Sequence, residues 1–283
     1  MVFVSTGGFS DKRPIDASQE MIEVGITDIE LSSGIDENID LNDFIKLKDK
    51  CNFQIHNYFP PPKDPFVFNL ASLDQDIAKL SFEHAKTAIQ WAYELDNPTY
   101  SFHAGFLIDP KVNELGKRIK SRKPYDRQES LLIFIDRVNM LSMFIEEMGG
   151  RLLIENNVLS MNNYQEFKFD PFLMSTPEEC KFVMEHTDEN VNLLIDVAHL
   201  KVSANSLDYN PLEMFNLCDP WIKAYHFSDN DGLSDSNNLI DEDSWFWPHI
   251  KKDLDYYSIE VYGETSNNLL QLKGLVESSL KNL

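Results

Sequence analysis

Short apolar runs alternate with longer amphipathic stretches along most of the chain. The short runs predict eight strands, at residues 2–5, 26–31, 52–56, 99–103, 151–155, 192–196, 221–227 and 257–261. Apolar residues at helical spacing predict long helices at 74–95, 128–148 and 267–281, the first of them capped by Ser72. Shorter helices are predicted at 15–24, 41–50, 176–186 and 245–254, and a long loop at 158–175.

Strict alternation of strand and helix is typical of a parallel sheet, because each parallel connection needs a crossover. Eight such units predict closure into a barrel. We therefore expect an α/β fold, a single (β/α)8 TIM barrel that forms one domain over residues 1–283. The active site of such a barrel lies at the C-terminal ends of the strands, and the longest predicted loops begin at these ends.

The composition narrows the range of partners. A formal charge of −22 disfavours nonspecific binding to nucleic acid or to an anionic membrane. Three scattered cysteines, with no CxxC pair, predict reduced thiols in a cytoplasmic protein. The first residues, Met1 to Thr6, have neither a basic segment nor a long apolar run, so we expect no signal peptide and no transmembrane span.

Acidic and histidine residues stand where several apolar runs end. A buried parallel strand is apolar on both faces, so the first charged residue after it marks the edge at which all the strands converge. Alone, a strand-end carboxylate is more often a helix cap or an ion-pair partner; the joint pattern favours a metal site. Three carboxylates and one imidazole suit Mn²⁺, Mg²⁺, Co²⁺ or Zn²⁺, and the predicted metal ligands are Glu155, Asp196, His226 and Glu260.

Three more histidines lie at the same predicted edge. His56 and His103 end neighbouring strands, and His199 follows Asp196 by about one helical turn. A lone histidine in such a place is more often a packing residue. As a group, these three are candidates for binding the substrate or a second metal.

Several short motifs, in this order, resemble those of one superfamily. They are Ile29-Glu30-Leu31, His56 followed by Phe68-Asn69-Leu70-Ala71-Ser72, Phe102-His103-Ala104-Gly105, Ile154-Glu155-Asn156, Asp196-Val197-Ala198-His199 and His226-Phe227-Ser228-Asp229-Asn230-Asp231-Gly232. From about residue 26 onwards the chain resembles the xylose isomerase-like TIM-barrel superfamily. That superfamily includes sugar and sugar-phosphate isomerases and epimerases, and endonuclease IV.

The resemblance implies roles for individual residues. Glu155, Asp196, His226 and Glu260 would bind a divalent metal, and Glu155 and Glu260 would also be catalytic, exchanging protons with the substrate through an enediolate. His199 would contact a substrate oxygen. Asp229 and Asp231 join His56 and His103 as candidates for the substrate or a second metal. The implied function is a metal-dependent isomerase or epimerase of a carbohydrate.

Two departures from the family's motifs keep other functions open. Gly232 stands where epimerases of this group often have an arginine, and Asn237 stands where endonuclease IV has a zinc-binding histidine. Asparagine is a poor zinc ligand, which argues against a complete three-zinc site. The alternatives are an endonuclease IV-like phosphoester hydrolase, a multinuclear-metal oxidative enzyme, and a barrel that binds sugar or metal without catalysis.

Residues 117–127 hold six of the 25 basic residues in this acidic chain. The segment lies in the predicted loop after the fourth strand, on the active-site side. It is either a solvated loop or a site that captures an anionic carbohydrate, through Arg118, Lys120 and Arg122. Lys201 is a second candidate for this role. Barrels of this kind often associate, so a homo-oligomer is also expected.

Overall fold

Eight parallel strands form a closed barrel in a computed structural model that describes residues 1–32, 34, 38–114 and 118–282. The strands pair in chain order, and the last pairs with the first. The predicted (β/α)8 barrel is therefore confirmed. The strands are β1 (Val2–Ser5), β2 (Asp28–Leu31), β3 (Asn52–His56), β4 (Thr99–His103), β5 (Arg151–Glu155), β6 (Val191–Asp196), β7 (Ile222–Phe227) and β8 (Tyr256–Ile259).

The helices lie between the strands and after the last one. Within the described residues they are α1 (Pro14–Val24), α2 (Leu41–Ile45), α3 (Gln75–Glu94), α4 (Arg127–Glu146), α5 (Met161–Phe167), α6 (Pro177–His186), α7 (Val197–Leu207), α8 (Leu212–Cys218) and α9 (Ser266–Asn282). None of them combines the length and the apolarity that crossing a membrane requires.

Alternation of side chains along each strand separates two apolar regions. Tyr100, Ile154 and Ile195 belong to the main core, together with apolar residues of the helices. Leu153 and Leu194 point the other way and form a small separate cluster with Phe3, Ala224 and Tyr256. Side chains two residues further along share this inner face. The inner face of β5, β6 and β7 therefore carries an apolar layer and, above it, a polar layer of Glu155, Asp196 and His226.

Some helix predictions were wrong. The predicted loop at 158–175 contains α5, whose first turn is capped by the Ser160 hydroxyl. The predicted helix at 41–50 ends at Ile45, and the one at 245–254 is only a 3-10 turn at Trp247–His249. Pro248 lies inside that turn, and Asp253 has a left-handed backbone with φ of 65°, so an α-helix cannot continue there.

The buried side chain of Asn69 joins the loops after β3 and β4. The Asn69 amide nitrogen donates to the carbonyl oxygens of Phe106 and Ile108 and to the Asp109 carboxylate, and its amide oxygen accepts from the backbone of Phe106. Gly105 allows this approach, because a Cβ there would lie 2.4 Å from the Cβ of Ala71.

The predicted cap of α3 was also wrong. Asp74 caps this helix through its carboxylate, whereas the Ser72 hydroxyl donates to Asp109 at 2.9 Å. An aspartate is as good a cap as a serine, and Asp74 lies directly before the first helical residue. Ser72 is thereby left to tie the same two loops together.

Candidate metal centre

Four buried ligand groups meet at the C-terminal ends of the strands. Glu155 and Asp196 are the last residues of β5 and β6, His226 is next to last in β7, and Glu260 directly follows β8. One ligand atom from each of the four lies within 4.8 Å of the others. None of the four residues is more than 7% exposed. The geometry thus brings together the four residues that the sequence singles out as metal ligands.

Local structure fixes the orientation of Asp196. Its Oδ1 atom caps α7 by accepting the backbone N–H of His199 at 2.7 Å. The Asn156 side chain forms two hydrogen bonds with the backbone of Asp196: it accepts from the N–H and donates to the carbonyl oxygen. The second carboxylate oxygen, Oδ2, is buried without a hydrogen-bond partner among the described residues and is available to a ligand.

Several buried polar atoms of the centre lack hydrogen bonds. Both carboxylate oxygens of Glu155, Oδ2 of Asp196 and Nε2 of His56 have no hydrogen-bond partner among the described residues. Buried acceptors without partners are costly, and native proteins rarely leave them so. A divalent cation between Glu155 and Asp196 would satisfy their free oxygens, and carboxylate and imidazole are the donors that such a cation takes. The residues present fit a divalent metal.

The ionisable groups at the centre shift one another's pKa. Burial alone would raise the pKa of Glu155, but the imidazoles of His103, His226 and His56 outweigh it and hold this pKa well below its usual range. Burial raises the pKa of Asp196 to about 7; His199 opposes the rise and the Glu155 carboxylate adds to it. Metal binding requires deprotonated ligands, so a cation that binds here below about pH 7 would displace a proton from Asp196.

A second group of ligands shares Glu155. Nε2 of His56 lies 3.2 Å and Nε2 of His103 3.3 Å from Oε2 of Glu155, and these three residues also have ligand atoms within 4.8 Å of one another. His199 lies on the other side, with Nδ1 3.2 Å from Oε1 of Glu155 and Nε2 3.3 Å from the carboxylate of Asp235. Three of the predicted substrate or second-metal residues therefore surround the first cluster.

Asp229, Asp231 and Lys201 make other contacts. Lys201 donates to the Asp229 carboxylate at 2.6 Å and to the carbonyl oxygen of Asn230. Asp231 is exposed and accepts the backbone N–H groups of Leu233 and Ser234. These contacts shape the loop after β7, and the charge of Lys201 is paired with Asp229.

Carboxylates neutralise part of the basic segment; Lys117 lies outside the described residues. Arg118 donates through Nε to Glu166 at 3.0 Å, and Arg122 donates to Glu114 and to the carbonyl oxygen of Asp109. Lys120 is exposed. Two of the three candidate anion-binding residues thus have carboxylate partners.

Sequence reasoning left out three polar residues at the centre. Glu30 of β2 is fully buried, and its Oε2 lies 2.9 Å from Nε2 of His226. The Tyr256 hydroxyl donates to the same oxygen. Glu30 follows the same rule of a carboxylate near a strand end, whereas Asp235 belongs to an irregular loop and carries no such signal.

The geometry defines a class of protein: a parallel (β/α)8 barrel with a carboxylate and histidine centre at the C-terminal ends of its strands. A family model described as xylose isomerase-like TIM barrel matches residues 20–268. The chain belongs to this family. Comparison with curated protein sequences found no match.

Solved structures with the same fold are distant in sequence. A D-tagatose 3-epimerase-like protein is 19% identical, with a TM-score of 0.73 over 99% of this chain and 97% of that chain. A protein from Thermus thermophilus, soaked with ZnCl2, is 19% identical, with a TM-score of 0.64 over 98% of both chains. D-psicose 3-epimerase from Clostridium cellulolyticum H10, with D-tagatose, is 12% identical, with a TM-score of 0.66 over 99% and 97%. Likeness at this level of identity shows the fold.

Proposed function

We propose that the protein is a divalent-metal-dependent isomerase or epimerase of a carbohydrate. The observation that carries the proposal is the placement of Glu155 and Glu260 around one imidazole. Nδ1 of His226 lies 3.0 Å from Glu260 and 3.6 Å from Glu155. Two carboxylates from β5 and the end of β8 are therefore held at one buried centre, as a reaction with two proton carriers needs.

The residues of this chain divide the chemistry between them. Glu155, Asp196, His226 and Glu260 would hold the metal, which would acidify a C–H bond next to a sugar carbonyl and favour an enediolate. Glu155 removes the proton and Glu260 returns it, or the reverse for the opposite direction. The Tyr262 hydroxyl donates to Oε1 of Glu260 at 2.9 Å and so fixes the orientation of this carboxylate.

The substrate class comes from the names of the solved structures together with the site. Two of them are named for ketose 3-epimerases or a likeness to one, and one holds D-tagatose. His103, whose side chain is 25% exposed, and His199 lie beside Glu155, where a substrate oxygen could accept a hydrogen bond. We therefore expect a ketose or a close derivative as the substrate.

Proton exchange with solvent tests this function. Purified protein loaded with Mn²⁺, Co²⁺, Mg²⁺ or Zn²⁺ would be incubated in deuterated water with a panel of ketoses and ketose phosphates. We expect deuterium to enter at the carbon next to the carbonyl of at least one sugar, and an epimer or isomer to form. No exchange with any sugar, in protein shown to hold metal, would contradict the proposal.

One observation favours a second function, hydrolysis of a phosphoester. His56, His103 and Glu155 form a second ligand group that shares Glu155 with the first, as a two-metal site would require. Metal stoichiometry separates the two functions: one ion per chain favours proton transfer, and two or three favour hydrolysis. Release of nitrophenol from bis(p-nitrophenyl) phosphate at two bound ions per chain would favour the hydrolase.

A further inference from the structure

A row of five hydrogen-bonded side chains, here called the floor network, lies beneath the candidate metal centre. It runs from His226 through Glu30, Tyr256 and Ser101 to His56, and none of these residues is more than 1% exposed. Nε2 of His226 lies 2.9 Å from Glu30, and the Tyr256 hydroxyl donates to the same carboxylate oxygen. The Ser101 hydroxyl lies 3.1 Å from the Tyr256 hydroxyl and 2.9 Å from Nδ1 of His56.

The direction of each hydrogen bond follows from the number of protons available. An ionised carboxylate only accepts, so Glu30 takes the single hydroxyl proton of Tyr256 and an N–H from Nε2 of His226. The Tyr256 oxygen is then an acceptor toward Ser101. If Ser101 gave its proton to His56 instead, two hydroxyl oxygens 3.1 Å apart would have no proton between them.

The serine therefore donates away from His56. Its acceptor is the Tyr256 oxygen, because donation to the more distant carbonyl oxygen of Ile55, at 3.4 Å, would leave the same two hydroxyl oxygens without a proton between them. The serine oxygen then accepts from Nδ1 of His56, so this imidazole carries its proton on Nδ1. The lone pair of His56 is left on Nε2, 3.2 Å from Oε2 of Glu155.

We propose that Glu30, Tyr256 and Ser101 are positioning residues that fix opposite tautomers in His226 and His56. When the metal is bound, His226 keeps its proton on Nε2 and presents to the metal the Nδ1 atom that otherwise lies 3.0 Å from Glu260, and His56 keeps its proton on Nδ1 and presents Nε2. This inference rests on the proposed metal function and adds to it the residues that prepare the two imidazoles. An outer hydrogen-bond partner of a metal-binding histidine typically changes metal affinity by about 10- to 100-fold.

Zinc titration of the metal-free protein tests the role of Glu30. The Glu30→Met variant keeps the size of the side chain but removes both acceptor oxygens, so its zinc affinity should fall about 10- to 100-fold. The Glu30→Gln variant keeps one acceptor oxygen for the same two protons, and its affinity should stay within about threefold of wild type. If Glu30 served only to fill space, Glu30→Met would bind zinc as tightly as wild type and glutamine would have no loss to rescue.

A matched control is available in the neighbouring strand. Gln54 pairs with Glu30 in the sheet and is equally buried, but its side chain donates to the carbonyl oxygens of Ile55 and Thr99. The Gln54→Met variant therefore also loses a buried polar group, and its zinc affinity should stay within about threefold of wild type. An equal loss of affinity in Glu30→Met and Gln54→Met would contradict the inference.

A spectrum of the unmodified protein tests the tautomers without relying on any variant. Long-range ¹H–¹⁵N correlation of the zinc-loaded protein should show a proton on Nε2 of His226 and a proton on Nδ1 of His56. A proton on Nδ1 of His226, or on Nε2 alone of His56, would overturn the inference. Wild-type protein that binds no zinc would contradict the proposed metal function and this inference with it. Binding by wild type with equal affinity in Glu30→Met would contradict the inference alone.

Discussion

Glu155 is the residue on which four imidazoles converge. His56, His103 and His199 lie within 3.3 Å of its carboxylate, and His226 lies 3.6 Å away. These are four of the seven histidines in the chain. His56, His103 and His226 stand at the ends of apolar runs and were therefore visible in the sequence, and His199 follows Asp196 by about one helical turn. Tyr256 was not visible, because its role depends on a contact with Glu30, two strands away on the far side of β1, and no local pattern records that contact.

Replacing Glu155 by glutamine should separate catalysis from folding. The amide keeps the size of the side chain but is neither a base nor an anionic ligand, so turnover should fall by about 10³-fold and metal affinity should also fall. Deuterium exchange and metal titration measure the two effects, with the exposed Glu242→Gln as control. Activity within about tenfold of wild type would show that Glu155 is not a proton carrier.

His84 should make stability depend on pH. This histidine is 7% exposed, and burial lowers its pKa to about 4, against a small opposing effect of its bond to the Asn57 carbonyl. The unfolded chain binds the proton of His84 more readily than the folded protein does. The contribution of this histidine to stability is therefore fully present above pH 6.5 and is lost progressively as pH falls to about 4. The loss should reach about 3 kcal/mol.

The His84→Phe variant tests this expectation. Phenylalanine fits among the rings of Tyr58, Phe66 and Phe68, which surround the imidazole. Urea unfolding at several pH values should show that the variant gains stability relative to wild type between pH 6.5 and 4. A difference that stays constant over this range would contradict the pKa assigned to His84.

At the scale of secondary-structure elements, contacts between loops fix the rim of the candidate metal centre. The strands and longest helices were predictable because their buried apolar residues recur at the spacing of a strand or of a helix. The short helix α5 was not, because its seven residues hold only three apolar ones and its Ser160 cap could equally begin a turn. The Asn69 motif was visible in the sequence, but its contacts to the next loop were not.

Replacing Asn69 by alanine should loosen the loops after β3 and β4 together. The change leaves buried backbone groups of Phe106 and Ile108 without partners, which should cost about 2–4 kcal/mol of unfolding free energy. Chemical denaturation measures the cost, and faster hydrogen exchange in both loops would show their coupling. The exposed Asn267→Ala is the control, and faster exchange in one loop only would contradict the coupling.

The basic segment should prove more important for stability than for binding. Changing Arg118, Lys120 and Arg122 together to serine leaves Glu166 and Glu114 without counter-charges, so we expect a lower Tm. The KM for a neutral ketose should change less than about threefold. Lys120→Ser alone, which touches neither ion pair, is the control. A KM that rises only for a phosphorylated sugar would instead support capture of an anion.

At the scale of the whole molecule, the barrel holds several acidic groups close together, although the net negative charge of the chain disfavours this. Of the acidic residues that give the chain its formal charge of −22, Glu30, Glu155, Asp196 and Glu260 are buried together at one end of the barrel. Within the described residues, the buried unpartnered oxygens of Glu30, Glu155 and Asp196 favour a bound cation over a packed polar core. A protein that binds the ion only when folded gains about 2.7 kcal/mol of stability at a free metal concentration 100 times the Kd.

The metal content of protein purified without chelator tests the central claim most directly. Elemental analysis should find at least one divalent ion per chain, or one regained on addition of Mn²⁺, Co²⁺ or Zn²⁺, with less than a tenth of that amount in a variant carrying both Asp196→Asn and His226→Gln. A metal-free wild-type protein that takes up no ion on addition would contradict the account.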